Sequence, residues 1–264
     1  MERMFSLAQL TVPKCPVPEM VYIAGMTGYG YISPQLTDLI ARPELVEQTK
    51  KAMEYTGVGI HDIRLNIYQY ITDVRNFEPV LALGALLGAK YMHSGIWADE
   101  SDYFAPIERF GELCDLASDY DMGVRLEFVA WSSVRDLSAA QQAIQYVNRP
   151  NAGYIVDMFH AHCSCLLPGD LQCVWEGCLD FVHLCDAPKE IPPGMEETIR
   201  IGRCAREYLG EGGIDVAAYM RYVPRGAVCC IEIPNLAKAA ELGYAEHARR
   251  ALVSAKKYLS EHNV

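Results

Sequence analysis

Eight short runs rich in β-branched and aromatic residues recur along this chain of 264 residues, with helically spaced segments between them. The runs cover residues 5–12, 29–36, 58–68, 89–97, 123–131, 152–159, 179–187 and 227–235; helical spacing fills 42–57, 77–88, 104–121, 139–148 and 242–263. In the first helical segment Leu45, Val46, Ala52 and Met53 share a side and Gly57 stands as a stop signal. In the last, Lys256 and Lys257 lie towards the end, where cations suit the helix dipole. Strand alternating with helix predicts parallel βα units, because a parallel strand needs a long crossover. Eight units in a chain near the usual ~250 residues close naturally into an α/β fold of (β/α)8 TIM-barrel type. No low-complexity linker or composition shift divides the chain, so residues 1–264 are expected to form a single domain. The widest irregular zone, 188–215, is too long for a simple connection and is expected to be a functional or interaction loop.

Charge narrows the partners. Against 34 acidic residues stand 23 basic ones, a net charge of -11, and no run of Lys or Arg occurs, which disfavours nucleic acid as the main ligand. No stretch of 18 apolar residues exists and the N-terminus lacks a small-residue cleavage site, so a membrane span and a signal peptide are not expected. The ten cysteines are dispersed, several inside apolar runs (Cys185, Cys229, Cys230), as reduced buried thiols of a cytoplasmic protein would be. His160, His162, Cys163 and Cys165 lie within six residues of one another, yet no second element stands at zinc-site spacing.

A buried parallel strand normally reads as uninterrupted apolar sequence, so a charge inside one needs a partner, a metal or a chemical role. Four consecutive runs carry such a residue near their C-terminal ends: Glu127, Asp157, His183 and Glu232. Taken singly, a strand-end carboxylate is ordinarily a loop acceptor and a lone histidine a satisfied core residue. Four in register on consecutive strands would all face the C-terminal mouth of a barrel, where catalytic groups gather. Three carboxylates there repel one another unless a cation neutralises them. With one imidazole they form a hard, oxygen-rich set suited to a divalent metal: Mn²⁺ as the leading choice, or Mg²⁺, Co²⁺ or Fe²⁺.

Period-two alternation supplies further inward candidates. Asp62, Arg64 and Asn66 form the polar set of their run, and His93 falls with Tyr91 and Trp97. Arg64 and His93 are candidate substrate contacts, with a salt bridge on the barrel floor as the rival role; Arg125, two before Glu127, is expected to be a deep charge partner. Gly28 and Gly30 hint at a dinucleotide fingerprint, but Ser33 and Pro34 stand where the third glycine and helix start belong. No phosphate-loop or nucleophile-elbow motif occurs.

The segments LEFVAW, VDMFH, FVHLCDAP, LGEGGID and CCIEIPN, in this order and spacing, resemble the xylose isomerase-like TIM-barrel superfamily. This sugar phosphate isomerase/epimerase group includes ketose 3-epimerases, inosose isomerases and dehydratases, 3-dehydroshikimate dehydratases and endonuclease IV. The resemblance implies that Glu127, Asp157, His183 and Glu232 correspond to the family's metal ligands and that His160 corresponds to a substrate-contacting histidine. The resemblance also makes Glu211, in a loop that borders the mouth, and Asp186, at a position that is often acidic, candidate substrate contacts. Seven histidines and the acidic charge disfavour endonuclease IV chemistry, and His183 stands where the dehydroshikimate dehydratases tend to have Gln.

The expected function is metal-dependent isomerisation or epimerisation of a keto-sugar or keto-cyclitol through an enediolate, with Glu127 and Glu232 as base and acid. The alternative is a dehydratase in which a β-hydroxyl leaves, with His160 or His93 as general acid. A non-catalytic barrel subunit is a lesser alternative. A homo-oligomer is expected, as is common in barrels of this group.

Overall fold

The computed structural model describes residues 3–98, 104–174 and 177–264. Its core is a parallel sheet built from β1 (Phe5–Ala8), β2 (Tyr31–Ser33), β3 (Gly59–Ile60), β4 (Asp62–Arg64), β6 (Tyr91–Ser94), β8 (Gly123–Glu127), β9 (Ala152–Asp157), β10 (Leu179–Leu184) and β11 (Val228–Ile231). The order is β3-β2-β1-β11-β10-β9-β8-β6-β4. Its two ends are successive pieces of one run. His61 lies between them, its N–H bonded to Ile32 O at 3.1 Å and its carbonyl accepting from Lys90 N at 3.0 Å. One residue thus serves both neighbours, and the sheet closes as an eight-run TIM barrel. A second parallel pair, β5 (Ile67–Tyr68) with β7 (Ile96–Trp97), carries the third and fourth runs beyond the C-terminal mouth.

Helices shell the barrel. The spaced segments form α3 (Glu44–Thr56), α4 (Glu78–Leu86), α5 (Phe104–Ser118), α6 (Leu137–Val147) and α11 (Tyr244–Glu261). Gly57 takes φ +73° after α3, a conformation that costs a β-carbon and ends the helix. Two of the longer helices lie outside the predicted segments. α1 (Val17–Thr27) buries Val17, Pro18, Met20, Val21, Ile23 and Ala24, so it is apolar around much of its circumference and shows little periodicity. Gly28 follows α1 and precedes β2, the reverse of the strand-to-helix order a dinucleotide loop requires. The zone 188–215 is not irregular throughout: it holds α8 (Met195–Cys204), which buries Thr198, Ile201 and Gly202. Among the described residues no helix is long and apolar enough to cross a membrane.

The run predicted as a strand over 152–159 stops at Asp157, and α7 (Met158–Cys163) begins at the next residue. This early turn places the site.

Candidate active site

Asp157 is the last residue of β9 and the N-cap of α7, its Oδ1 accepting from His160 N at 3.0 Å. Its other oxygen is left to face the barrel mouth. Glu127 ends β8, His183 lies one residue before the end of β10, and Glu232 follows β11 directly. His183 is level with both Asp157 and Cys230 in the sheet, two residues before Glu232. The four side chains therefore come from four adjacent strands at nearly one height. All are buried, and each offers a ligand atom within 4.8 Å of the others.

The imidazole lies among the carboxylates. His183 Nδ1 stands 3.1 Å from Glu127 Oε1, 3.6 Å from Asp157 Oδ2 and 3.6 Å from Glu232 Oε2. Burial alone would lower its pKa, but the Glu232 charge and hydrogen bonds with Asp157, Cys230 and Glu127 raise it well above the ordinary value. The carboxylates answer in the opposite direction. Burial opposes ionisation of Asp157, yet Arg206, His160 and His183 hold its pKa well below the usual range; for Glu127, His183 and Arg64 likewise overcome burial. Without a metal, then, three carboxylates face three cations: His183, Arg206 and Arg64.

Arg206 was not foreseen from the sequence. It is fully buried, with Nη1 donating to Asp157 Oδ2 at 2.6 Å and lying 3.2 Å from Glu232 Oε2, while Nε donates to Gly202 O at 2.8 Å. Its backbone is clamped between strand ends. Arg206 N bonds Pro234 O, Asn235 Nδ2 donates to Arg206 O, and the adjacent Glu207 exchanges two backbone bonds with Asp186.

Of the expected substrate contacts, Arg64 reaches the cluster, with Nη1 3.4 Å from Glu232 Oε1 and Nη2 3.8 Å from Glu127 Oε2. Each glutamate thus turns one oxygen towards His183 and the other towards Arg64. His93 stands beneath the mouth, its ring edge-on to His183 at 5.1 Å and its Nδ1 2.8 Å from Asp62 Oδ2. Asp62 is itself held by Ser33 Oγ at 2.6 Å and His61 Nδ1 at 3.1 Å. His160 is buried against Trp131, ring centroids 4.7 Å apart, and Ala130 N donates to its Nδ1 at 3.5 Å. Burial, chiefly, lowers its pKa.

Asp186 and Glu211 are not part of the cluster. Asp186 accepts backbone N–H bonds from Ala187, Gly210, Gly212 and Ile214, which fixes the loop following Arg206; Glu211 is exposed beside Lys238. Arg125 points to the opposite mouth, with Nε 2.6 Å from Asp180 Oδ2.

The cluster fits a divalent cation. It offers three carboxylate oxygens and one imidazole nitrogen, and Glu127 Oε2 is buried without a hydrogen bond. A mutual span of 4.8 Å accommodates metal-ligand bonds of about 2.0–2.4 Å.

Comparison with known proteins gives the family. The family model described as xylose isomerase-like TIM barrel matches residues 24–254. An inosose isomerase of Bacillus licheniformis is 26% identical over 156 residues, 56% of this chain and 54% of that protein. The chain thus spans about half the length of the curated relatives it matches. Among solved structures, the IolI protein with a bound zinc atom superposes with a TM-score of 0.82 at 18% identity, covering 98% of this chain and 99% of the other. D-allulose 3-epimerase from Methylomonas sp., in complex with D-allulose, gives 0.72 at 18% identity, with 98% of each chain covered.

Proposed function

The chain belongs to the xylose isomerase-like TIM barrel family, and on that premise we propose that it is a divalent-metal-dependent isomerase or epimerase of a keto-sugar or keto-cyclitol. One observation carries the proposal: Glu127 and Glu232 each turn one oxygen to the shared cluster and the other to Arg64, so two carboxylates flank the place where Arg64 now lies. The relatives named inosose isomerase and D-allulose 3-epimerase support the reaction class.

Glu127, Asp157, His183 and Glu232 would hold the metal, which when bound supplies a Lewis acid that lowers the pKa of the C–H beside a substrate carbonyl. One glutamate takes that proton. The other, entering the step protonated, donates its own proton to the opposite face of the enediolate, which inverts the carbon, or to the neighbouring carbon, which isomerises the ketone. Arg64 donates hydrogen bonds to the developing oxyanion, and Arg206 balances the charge of Asp157. The proton taken from the substrate stays on a glutamate of the same site, so the step moves charge within the site without changing its total.

The test is deuterium incorporation from D₂O into a panel of keto-sugars and keto-cyclitols by protein loaded with Mn²⁺. Exchange without dehydration is expected; loss of water would select the dehydratase, and no exchange with any member would overturn the proposal. Glu232→Gln should lower the exchange rate by about 10²–10⁴-fold.

A further inference from the structure

Near the carboxylate cluster the C-terminal mouth carries a cavity that the proton-transfer chemistry does not use. It measures about 320 Å³, at the lower end of ligand pockets, and three segments line it: Tyr68, Gln69 and Tyr70 at and just past the end of the third run, Trp97 at the end of the fourth, and Trp131 and Arg135 at and past the end of the fifth. The strands are parallel, so all three segments lie on the face that holds Glu127 and Asp157.

The wall is a built aromatic stack. Tyr68 lies between Tyr70 (centroids 5.2 Å, planes 6° apart) and Trp97 (5.3 Å, 27°). Trp97 folds back over Gly95, where a β-carbon would come within 2.5 Å of the indole; Gly202 gives way to Trp131 in the same manner, at 2.5 Å. Tyr70 remains 69% exposed, an aromatic face offered to solvent at the cavity rim. Trp131 joins the two sites, with one part lining the cavity and one edge against His160, whose backbone bonds Asp157. Its Nε1 is shielded from solvent and has no hydrogen-bond partner among the described residues. Arg135 is held by its Nε on Ser132 O and contributes a cation to the same lining.

An aromatic face with a guanidinium at the rim suits one ligand chemistry well. A sugar ring presents C–H bonds on its faces, which pack on aromatic rings, and hydroxyls around its edge, which take hydrogen bonds. We propose that this cavity is a subsite for a second sugar ring, joined by a glycosidic bond to the keto ring bound at the cluster, so that the substrate class is a keto-glycoside rather than a free ketose. The proposal rests on the isomerase or epimerase reading of the adjacent cluster. The second ring makes no covalent change; it binds and orients.

The experiment separates binding from turnover. Saturation-transfer NMR with the Mn²⁺-free chain should show cellobiose, maltose or sucrose receiving saturation on both rings and outcompeting glucose; Tyr70→Ala and Trp97→Leu, each checked for unchanged melting, should abolish the second-ring signal. Absence of any disaccharide preference overturns the subsite whether or not the protein exchanges ketose protons. Tighter binding of p-nitrophenyl glucoside than of every disaccharide also overturns it, in favour of a flat aryl group. With 3-keto derivatives of the same sugars, the two-ring over one-ring ratio of kcat/KM should fall about tenfold in Tyr70→Ala, carried by KM. Binding without exchange would sink the catalytic reading and leave the subsite standing.

Discussion

The two mouths of the barrel hold the same residue types and treat them differently. At the N-terminal mouth Arg125 meets Asp180, donates to Asn151 O at 2.9 Å and lays its guanidinium over Tyr91 at 4.6 Å. Its charge is matched by one partner and its donors are spent. At the C-terminal mouth three buried carboxylates share Arg206, Arg64 and the His183 proton, and Glu127 Oε2 keeps no hydrogen bond. One arrangement seals a barrel end. The other is balanced only by a group that can be exchanged, the His183 proton, and that is what a metal-binding, proton-moving site needs.

The sharpest way to break this contrast is to neutralise one carboxylate at each end. Glu127→Gln should cut proton exchange into substrate by about 10²–10⁴-fold. Asp180→Asn should leave exchange within a few-fold of the parent and cost about 1–3 kcal/mol of stability, because it strips Arg125 of its partner; Asp180 is partly exposed, which keeps the loss moderate. Urea unfolding beside the D₂O assay reads both. An Asp180→Asn protein that is stable but inactive would refute the division between the ends.

The contrast also explains how much of the molecule could be read from sequence. Glu127, Asp157, His183 and Glu232 were legible because each interrupts an otherwise apolar strand, where a charge stands out against its neighbours. The barrel was legible because its eight runs alternate with helical spacing; the break at His61 was not, since both halves of that run look equally strand-like. Arg206 gave no signal. It follows α8, whose buried face carries only Ile201 as a large apolar residue, in a stretch rich in charges, where an arginine is the ordinary choice for a surface. Its burial is decided by tertiary contacts, the backbone clamp to Pro234 and Asn235 and the Asp186 to Glu207 bridge. α1 escaped for the opposite reason, its apolar character being too widely spread to show a face.

Arg206 therefore offers the next test, of intermediate size. Arg206→Met leaves Asp157 and Glu232 buried with one cation fewer, a loss of about 3–5 kcal/mol in the metal-free chain. For a chain of this size that amounts to a Tm lower by roughly 6 °C or more. If Arg206 balances charge that a metal can also balance, Mn²⁺ should restore part of the loss. Equal depression of Tm with EDTA and with Mn²⁺ would reduce Arg206 to a packing role and weaken the idea that the C-terminal mouth is held by exchangeable charge.

The smallest effect is a slope, and it bears on the same exchange. His183 has a raised pKa in the metal-free fold, so through this group the metal-free chain draws stability that is fully present below the ordinary value of 6.5 and lost as pH rises through the folded pKa. Glu127 and Asp157, whose pKa values are depressed, contribute stability above the ordinary carboxylate range and lose it as pH falls through their folded values. A metal on Nδ1 must displace the His183 proton. Between about pH 6 and the folded pKa of His183, metal affinity should thus rise roughly tenfold per pH unit, with close to one proton released per ion, and level off above that pKa. Calorimetric titration of Mn²⁺ in buffers of different ionisation enthalpy measures the released proton directly. A flat affinity with no proton release would mean that His183 is already neutral among the three carboxylates, and that the metal-free C-terminal mouth balances its charge in some way other than through this histidine.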